Sequence, residues 1–301
     1  MTSIPLHIFT PVQAAILLGI AALLGAIMGS FINCFAWRHA HGESVLAGRS
    51  HCTSCNHVLG PLDLVPIVSW LALRGRCRHC GQRISPRYVV VEVIMAVLFA
   101  VLVVRFGLGA QTFTYAVLVC ILMAIALVDL ETFTIPNGFI VALCALWLVS
   151  IWFMPTPQPG VFMVGSLFAG LVHPGGAVAL DGVVGAVAGG GGILVFSLVF
   201  DAITKKRSLG GGDVKLLFAV GLFLGLAGSL LNLLVACIVG LVFALVPGFS
   251  SSSASTGDEA HKTNDKNLQT KAIPFGPAIA AATCFTLLAG SAILTWYAGL
   301  F

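Results

Sequence analysis

Charged side chains are scarce in this sequence. Asp, Glu, Lys and Arg make up 9% of its 301 residues, whereas soluble domains contain roughly 25%. Hydrophobic residues account for 58% of the chain. So few charges cannot cover the surface of a water-soluble globule, which excludes a soluble protein. The composition is that of a polytopic membrane protein whose surroundings are the lipid bilayer.

Apolar stretches close to the roughly 20 residues that cross a bilayer recur along the chain, and they predict an all-α protein of about eight transmembrane helices. We expect these spans at 12–35, 88–106, 112–128, 138–154, 177–200, 214–228, 229–248 and 275–298. Gly225 and Gly228 favour a turn between the two short spans in 214–248. One long kinked helix is the alternative.

The first span lacks the basic leading region and the small-residue cleavage site of a removable signal peptide, so we expect it to stay as an anchor. Positively charged loops are retained in the cytoplasm. With the N-terminus outside, Arg105 is the only one of the 15 Lys and Arg residues left on the outer side. This orientation places the loops 36–87, 129–137, 201–213 and 249–274 inside.

Two segments interrupt the hydrophobic pattern. Residues 36–87, between the first span (1–35) and the remaining spans (88–301), are long enough to form a small metal-bound domain. Residues 250–272 read as a flexible cytoplasmic linker, and 155–176 is expected outside the membrane without counting as a span. The net charge of +4 is explained by topology and anionic lipid headgroups. Without interleaved aromatic and basic residues, it does not indicate nucleic-acid binding.

Four cysteines in 36–87 are spaced like metal ligands. Cys52 and Cys55 form one Cys-x-x-Cys pair, Cys77 and Cys80 form another, and 21 residues separate the pairs. Two such pairs can close a tetrahedral Zn²⁺ site, and four thiolates leave no open position, so the zinc is expected to be structural. Disulfides and a redox pair are the alternatives, and a reducing cytoplasm disfavours the disulfides.

Two aspartates stand where a membrane chain rarely tolerates charge. Asp129 follows the apolar run 112–128, and Asp213 closes Gly210-Gly211-Gly212-Asp213. Both fall at the cytoplasmic boundary in the topology above, so they can meet. Paired carboxylates share a proton, and one can activate water while the other donates to a scissile carbonyl. The pair predicts aspartic protease chemistry, and a helix-start turn with Asp213 as its cap is the alternative.

A third carboxylate, Glu92, lies about one turn inside the second span, next to the cysteine segment. A charge at this depth is expensive, so we expect either a pairing with Arg87 or a role in a binding site. The sequence contains no Rossmann-type Gly-x-Gly-x-x-Gly, so no glycine-rich motif marks a cofactor site.

Short motifs along nearly the whole chain resemble, in order, those of the bacterial type IV prepilin peptidase family, the leader peptidases and N-methyltransferases of pili and type II secretion. Besides the paired cysteines they are Gly29-Ser30-Phe31-Ile32-Asn33 with Arg38, Leu64-Val65-Pro66-Ile67-Val68-Ser69-Trp70-Leu71, Arg74-Gly75-Arg76-Cys77, Ile84-Ser85-Pro86-Arg87-Tyr88, Val91-Glu92, Asp129-Leu130-Glu131, Ile135-Pro136-Asn137, Gly210 to Lys215, and Ile273-Pro274-Phe275-Gly276-Pro277.

The resemblance implies that Asp129 and Asp213 are the catalytic pair of an aspartic endopeptidase in the bacterial inner membrane. Its substrates would be prepilin or pseudopilin N-terminal segments, cut after glycine at the cytoplasmic face. The resemblance also implies methylation of the new N-terminal residue, usually Phe, with S-adenosylmethionine, and Glu92 at the junction with the zinc segment is the candidate for binding this cofactor. A peptidase without methyltransferase activity and a non-enzymatic membrane scaffold of a secretion or pilus apparatus are the alternatives.

Overall fold

In a computed structural model the chain is described over residues 3–45, 48–153, 174–204, 210–245 and 274–300. Within these ranges it is helical and has no β-strand, which confirms the all-α expectation. The α-helices, in chain order, are α1 Pro11–Ala40, α2 Val68–Ala72, α3 Arg87–Phe106, α4 Ala110–Thr132, α5 Asn137–Ser150, α6 Pro174–Ala186, α7 Gly192–Thr204, α8 Gly211–Leu245 and α9 Gly276–Ala298.

Shorter helical turns lie between these helices. They are the 3-10 turns Leu6–Ile8 and Pro61–Asp63 and the π-helical turn Val187–Gly191. The predicted linker 250–272 lies outside the described residues. So does the predicted extramembrane stretch 155–176, except for its last three residues, which begin α6.

Six helical segments of the described chain are long and apolar enough to cross a membrane. They are α1, α3, α4, α8, α9 and the continuous run Gly176–Thr204, in which the π-helical turn joins α6 to α7. Helix α5, with 14 residues, is apolar but shorter. The described helices thus provide six candidate spans and one shorter apolar helix, close to the predicted number of about eight, and the shape of α8 decides whether that helix counts once or twice.

Helix α8 is broken at Gly225, whose backbone angles (φ 67°, ψ −175°) are not helical. Leu217 and Ser229, on either side of the break, both lie beside Gly189. A Cβ added to Gly189 would lie 3.6 Å from the carbonyl oxygen of Leu217 and 3.3 Å from the Cβ of Ser229. Twelve residues of unbroken helix would span about 18 Å. The chain therefore folds back at Gly225, which supports the predicted turn over one kinked helix.

Helix α4 lies at the centre of the bundle. On one side Leu118, Leu122 and Ile125 pack in a core with α5, α8 and α9. On another side Val119 and Val128 pack with α1 and α3. Because both cores enclose α4, a polar side chain in its last turn is shielded from lipid.

Glycines bring α1 and α3 into backbone contact. A Cβ on Gly25 would clash with the carbonyl group of Met95, and a Cβ on Gly29 would lie 2.9 Å from the Cα of Glu92. Small residues four apart let membrane helices approach this closely. The packing therefore holds Glu92 against the part of α1 that leads into the cysteine segment.

The cysteine segment between α1 and α3 consists of two knuckles with α2 between them. One antiparallel bridge closes each knuckle, His51 with Val58 and Arg76 with Arg83. Helix α1 continues to Ala40, so the first residues of the predicted domain 36–87 belong to this helix. The knuckles are thus carried directly on the end of a membrane helix.

Candidate active site and metal centre

Asp129 is buried at the end of α4, with 4% of its surface exposed. Its Oδ2 accepts a hydrogen bond from the backbone N–H of Gly276, the first residue of α9, at 2.9 Å. A Cβ at position 276 would lie 2.7 Å from the same oxygen, so glycine is needed for this approach. Amides at a helix N-terminus stabilise negative charge. The contact therefore fixes the Asp129 carboxylate in one orientation.

Asp213 lies in the first turn of α8 and is partly exposed. This turn packs against residues 135–137, which follow α4 in the chain. A Cβ on Gly212 would lie 3.2 Å from the Cβ of Ile135, and the Lys215 Nζ donates to the Asn137 Oδ1 at 3.0 Å. The start of α8 is therefore held next to the end of α4.

The structure thus brings Asp129 and Asp213 to the same end of the bundle, where the negative charge of Asp129 acts on the Asp213 carboxyl group. The Asp213 carboxylate also accepts a hydrogen bond from the backbone of Gly210, the residue before α8, as in a cap at a helix start. A carboxylate has two oxygens and about four acceptor positions. Capping and acid–base chemistry by Asp213 are therefore compatible.

The four cysteines of the two knuckles converge. Their sulfur atoms all lie within 4.8 Å of one another, and the Sγ atoms of Cys52 and Cys80 are 3.9 Å apart. A tetrahedral Zn²⁺ with Zn–S distances near 2.3 Å places its sulfurs about 3.8 Å apart, so the cluster fits this ion. All nine cysteines of the chain are free, which gives the disulfide alternative no support.

The thiols of the cluster differ in acidity. Burial raises the pKa of Cys52, but hydrogen bonds from the backbone of Ser54 and Cys55 outweigh it and lower the pKa to about 6. A backbone hydrogen bond from Gln82 lowers the pKa of Cys80, but burial and the neighbouring thiols raise it to about 11. The thiols thus ionise unequally without a cation, and a bound metal would deprotonate them together.

Glu92 is buried in α3, with 7% of its surface exposed. Its Oε2 accepts the backbone N–H of Ile67 at 2.7 Å. Ile67 has φ 64°, in the left-handed region that a β-branched residue rarely adopts. The expected pairing with Arg87 is wrong, because the Arg87 Nη1 bonds the Glu131 Oε1 at 2.5 Å. Side chains five apart on a helix do not share a face.

A cavity of about 410 Å³ lies between α1, α3 and the cysteine segment. Two buried side chains of opposite charge line it, Arg38 and Glu92, each 7% exposed. Three aromatic residues, Trp37, Trp70 and Tyr88, also line it. The volume lies within the roughly 300–1,000 Å³ of small-molecule sites. The cavity therefore suits a ligand that has aromatic parts and both signs of charge.

The salt bridge of Arg87 with Glu131 links α3, which lines the cavity, to the end of α4, which carries Asp129. Glu131 comes two residues after Asp129, and Arg87 comes directly before Tyr88, which lines the cavity. The Tyr88 carbonyl oxygen accepts a hydrogen bond from the Asn33 Nδ2 of α1 at 3.1 Å. These contacts join the ends of α1, α3 and α4.

Sequence reasoning did not single out Gly276, Arg38 or Trp70 as site residues. Each belongs to a motif that carries the family resemblance, and this membership was the only signal that could have found them. Their residue types are common at positions with no role in a site. Their contacts with Asp129 and with the cavity identify them.

Two family models match the chain. The model described as "Bacterial Peptidase A24 N-terminal domain" matches residues 23–106, and the model described as "Type IV leader peptidase family" matches residues 116–245. The first match contains the cysteine cluster and the cavity. The second contains Asp129 and Asp213.

Curated relatives match over most of their length. The chain is 31% identical over 285 residues to a prepilin leader peptidase/N-methyltransferase of Bacillus subtilis (strain 168), which covers 93% of this chain and 98% of the relative. It is 34% identical over 257 residues to the protein of the same name from Aeromonas salmonicida (strain A449), which covers 84% of this chain and 76% of the relative. No solved structure gives a significant match.

Proposed function

The chain belongs to the type IV leader peptidase family, and from this premise we propose that it cleaves prepilin leader peptides with Asp129 and Asp213 and then N-methylates the new N-terminal residue. One observation carries the proposal. The Asp129 carboxylate is buried and held by the Gly276 amide, at the end of the bundle where Asp213 also lies. Two acids that cannot easily ionise together support shared-proton chemistry.

Leader cleavage uses the pair as base and acid. The ionised carboxylate removes a proton from water, the hydroxyl oxygen bonds to the scissile carbonyl carbon, and the protonated carboxyl donates to the carbonyl oxygen. The tetrahedral intermediate then collapses. Its C–N bond breaks and a proton passes to the leaving nitrogen. The leader ends in a carboxyl group, the mature chain begins with a free amine, and the glycines before Asp213 leave room for the substrate backbone.

Asp129→Asn and Asp213→Asn test the pair, because each change removes one acid–base group at nearly constant shape. With full-length prepilin in membranes, we expect no cleavage by either variant in mass spectra of the pilin N-terminus. Asp201→Asn, which alters a carboxylate at the end of α7, is the matched control and should cleave normally. Cleavage at close to the wild-type rate by either of the first two variants would overturn the assignment.

We place both the aspartate pair and the cysteine segment on the cytoplasmic side of the inner membrane, since the loops beside them hold most of the Lys and Arg residues. The sulfur separations support a Zn²⁺ held by Cys52, Cys55, Cys77 and Cys80. Four thiolates close the coordination sphere, so the ion would join the two knuckles and take no part in the chemistry.

The cavity beside Glu92 is the proposed site of the methyl donor. S-adenosylmethionine, when bound, supplies a methyl group on a positively charged sulfur. The buried Glu92 carboxylate would favour that positive charge, and the Arg38 guanidinium would bind the carboxylate of the amino-acid part. Trp37 and Trp70 offer rings on which the adenine can stack.

Glu92→Gln tests this site, because glutamine keeps an oxygen for the Ile67 amide and removes only the charge. We expect the affinity of purified full-length protein for labelled S-adenosylmethionine to fall by roughly 5-fold or more, because the attraction between two opposite unit charges about 4 Å apart is about 1 kcal/mol even in water and larger in a protein. Asp213→Asn should bind the donor like the wild type. Unchanged binding by a folded Glu92→Gln protein would overturn the assignment of the cavity.

The two alternative functions yield different products. A peptidase without methyltransferase activity leaves a mature pilin with a free amine, and a scaffold leaves the prepilin uncleaved. On a pilin that is already cleaved, Asp213→Asn should still transfer a methyl group, because this step needs alignment and a base but not the aspartate pair. Loss of methylation by the folded variant would mean that the two sites are not separable, and failure of the wild type would favour the peptidase alone.

A further inference from the structure

An apolar ridge runs along the outside of the cysteine segment. Its residues Leu62, Val65, Val68 and Leu71 expose 73%, 38%, 61% and 59% of their surfaces. Contiguous apolar surface of this kind marks an interaction site with protein or membrane. The ridge therefore has a partner other than water.

Helix α2 has two different sides. Ser69, Trp70 and Leu73, at its inner side and C-terminal end, line the cavity. Val68 and Leu71 point away from the cavity and form part of the ridge. Because α2 forms one wall of the cavity, a partner that covers the ridge also supports this wall.

The depth of the ridge follows from the hydrogen bond of Ile67 to Glu92. Glu92 comes five residues after Arg87, the first residue of α3, and so lies roughly 7.5 Å along the helix from its start. Interfacial helices bury their apolar face by roughly 5–10 Å. At the same level of α3, Val90 and Val93 are 50% and 42% exposed and face outward. The hydrogen bond thus places the start of α2 at the level of an exposed apolar surface of α3, at the depth where interfacial helices lie.

Arginines follow the ridge directly. Arg74 and Arg76 come after α2, Arg76 is bridged to Arg83, which also lines the cavity, and all three are exposed. Like charges directly opposite each other on paired strands repel, and an anion between them removes the repulsion. In the ranges that the structure describes these three form no salt bridge, whereas Arg78 bonds Asp63 at 2.9 Å. The charges here are therefore complementary to phosphate groups.

We propose that residues 62–71 are an interfacial membrane anchor. The ridge lies in the leaflet next to the cysteine segment, and Arg74, Arg76 and Arg83 bind the phosphates of anionic lipids. Lipid then holds α2 from outside while Glu92 holds it from inside, so the cavity wall is fixed between them. The anchor requires a membrane but neither of the two activities, so its failure is distinguishable from theirs.

Depth-dependent quenching tests the ridge. The full-length chain, with the fluorescent amino acid dansylalanine at Val68 or Leu71, is placed in nanodiscs whose acyl chains are brominated near the headgroup. We expect both positions to be quenched as strongly as a label at Val90 in α3, and a label at the exposed Asn56 of the first knuckle to be unaffected. No quenching at 68 and 71 with quenching at 90 overturns the proposal. A second result also overturns it: the emission of the labels at 68 and 71 is unchanged by bromine but shifts when a prepilin N-terminal segment is added. The ridge would then bind substrate.

Lipid selectivity tests the arginines. From nanodiscs of mixed phosphatidylglycerol and phosphatidylcholine, the wild type should retain more phosphatidylglycerol after extraction, with a factor of about five for each basic residue at the surface. The triple variant Arg74→Gln, Arg76→Gln, Arg83→Gln should lose most of this preference. The control Lys262→Gln, Lys266→Gln, Lys271→Gln removes the same charge elsewhere in the chain and should keep it. Equal loss in both variants, or no loss in the first, overturns the assignment of the three arginines.

Discussion

Gly276→Ala perturbs the proposed catalytic pair while it leaves both aspartates in place. The Gly276 N–H holds the Asp129 Oδ2 at 2.9 Å. An added Cβ would come within 2.7 Å of that oxygen, closer than real Cβ atoms approach, and within 3.1 Å of the Asp129 Cγ, which is tighter than most Cβ contacts. Either the carboxylate or the start of α9 has to move, and the hydrogen bond is lost in both cases.

The expected size of the effect follows from this bond. A hydrogen bond to a charged group contributes about 1.5–3 kcal/mol, and about 1.4 kcal/mol corresponds to a factor of ten in rate. If the bond orients Asp129 for reaction, its loss lowers kcat/KM for leader cleavage by roughly 10- to 150-fold. Methylation of a pilin that is already cleaved should be unchanged, because the proposed donor site lies in the cavity beside Glu92, away from the Asp129–Gly276 contact.

The assay is the rate of leader cleavage of a full-length prepilin in proteoliposomes, followed by mass spectrometry. Gly138→Ala is the matched control, since it makes the same change in the first turn of α5, where a Cβ would meet nothing within 4 Å. Wild-type cleavage by Gly276→Ala would refute the orienting role of the amide. Loss of cleavage and methylation together would refute the separation of the two sites.

Two further changes test the metal centre and the fold of α8. Purified wild-type protein should carry about one zinc ion per chain, and Cys52→Ser or Cys77→Ser should lose it; metal analysis that finds no zinc in wild type purified without chelator would contradict this. Gly225→Ala should lower the free energy of unfolding by about 1–2 kcal/mol or more, because the residue has φ 67° and its Cβ would clash with the Asp181 carboxylate. Its control Gly192→Ala meets nothing within 4 Å, and equal melting temperatures of these two variants would contradict the hairpin.

The membrane spans could be predicted from the sequence because a bilayer requires nearly the same apolar length of each helix. The expected span 88–106 is α3, Arg87–Phe106, and the expected span 275–298 is α9, Gly276–Ala298. The first span was expected to end at 35, but α1 continues to Ala40. Hydropathy marks where the apolar run ends, and a helix can extend into water beyond it.

The four-cysteine cluster could also be predicted from the sequence, since Cys-x-x-Cys spacing places two sulfurs on one tight turn whatever surrounds it. The hydrogen-bond partner of Glu92 could not be predicted from the sequence. The prediction considered Arg87, five residues away, whereas the carboxylate bonds the amide of Ile67, 25 residues away in another segment. Local spacing determines which side chains share a helix face, and it carries no information about which loop packs against that face.

The two contacts that define the candidate sites have the same chemical form, and this explains why they could not be predicted. Asp129 bonds the backbone N–H of Gly276, and Glu92 bonds the backbone N–H of Ile67. Every residue except proline offers the same donor, so residue type cannot select the partner of a carboxylate that bonds a backbone amide. The two positions differ in what the residue type contributes: position 276 needs a residue without a Cβ, whereas Ile67 adopts a left-handed backbone despite its branched side chain. At both positions a buried carboxylate accepts the N–H that this local geometry presents, and the hydrogen bond holds two segments of the chain together.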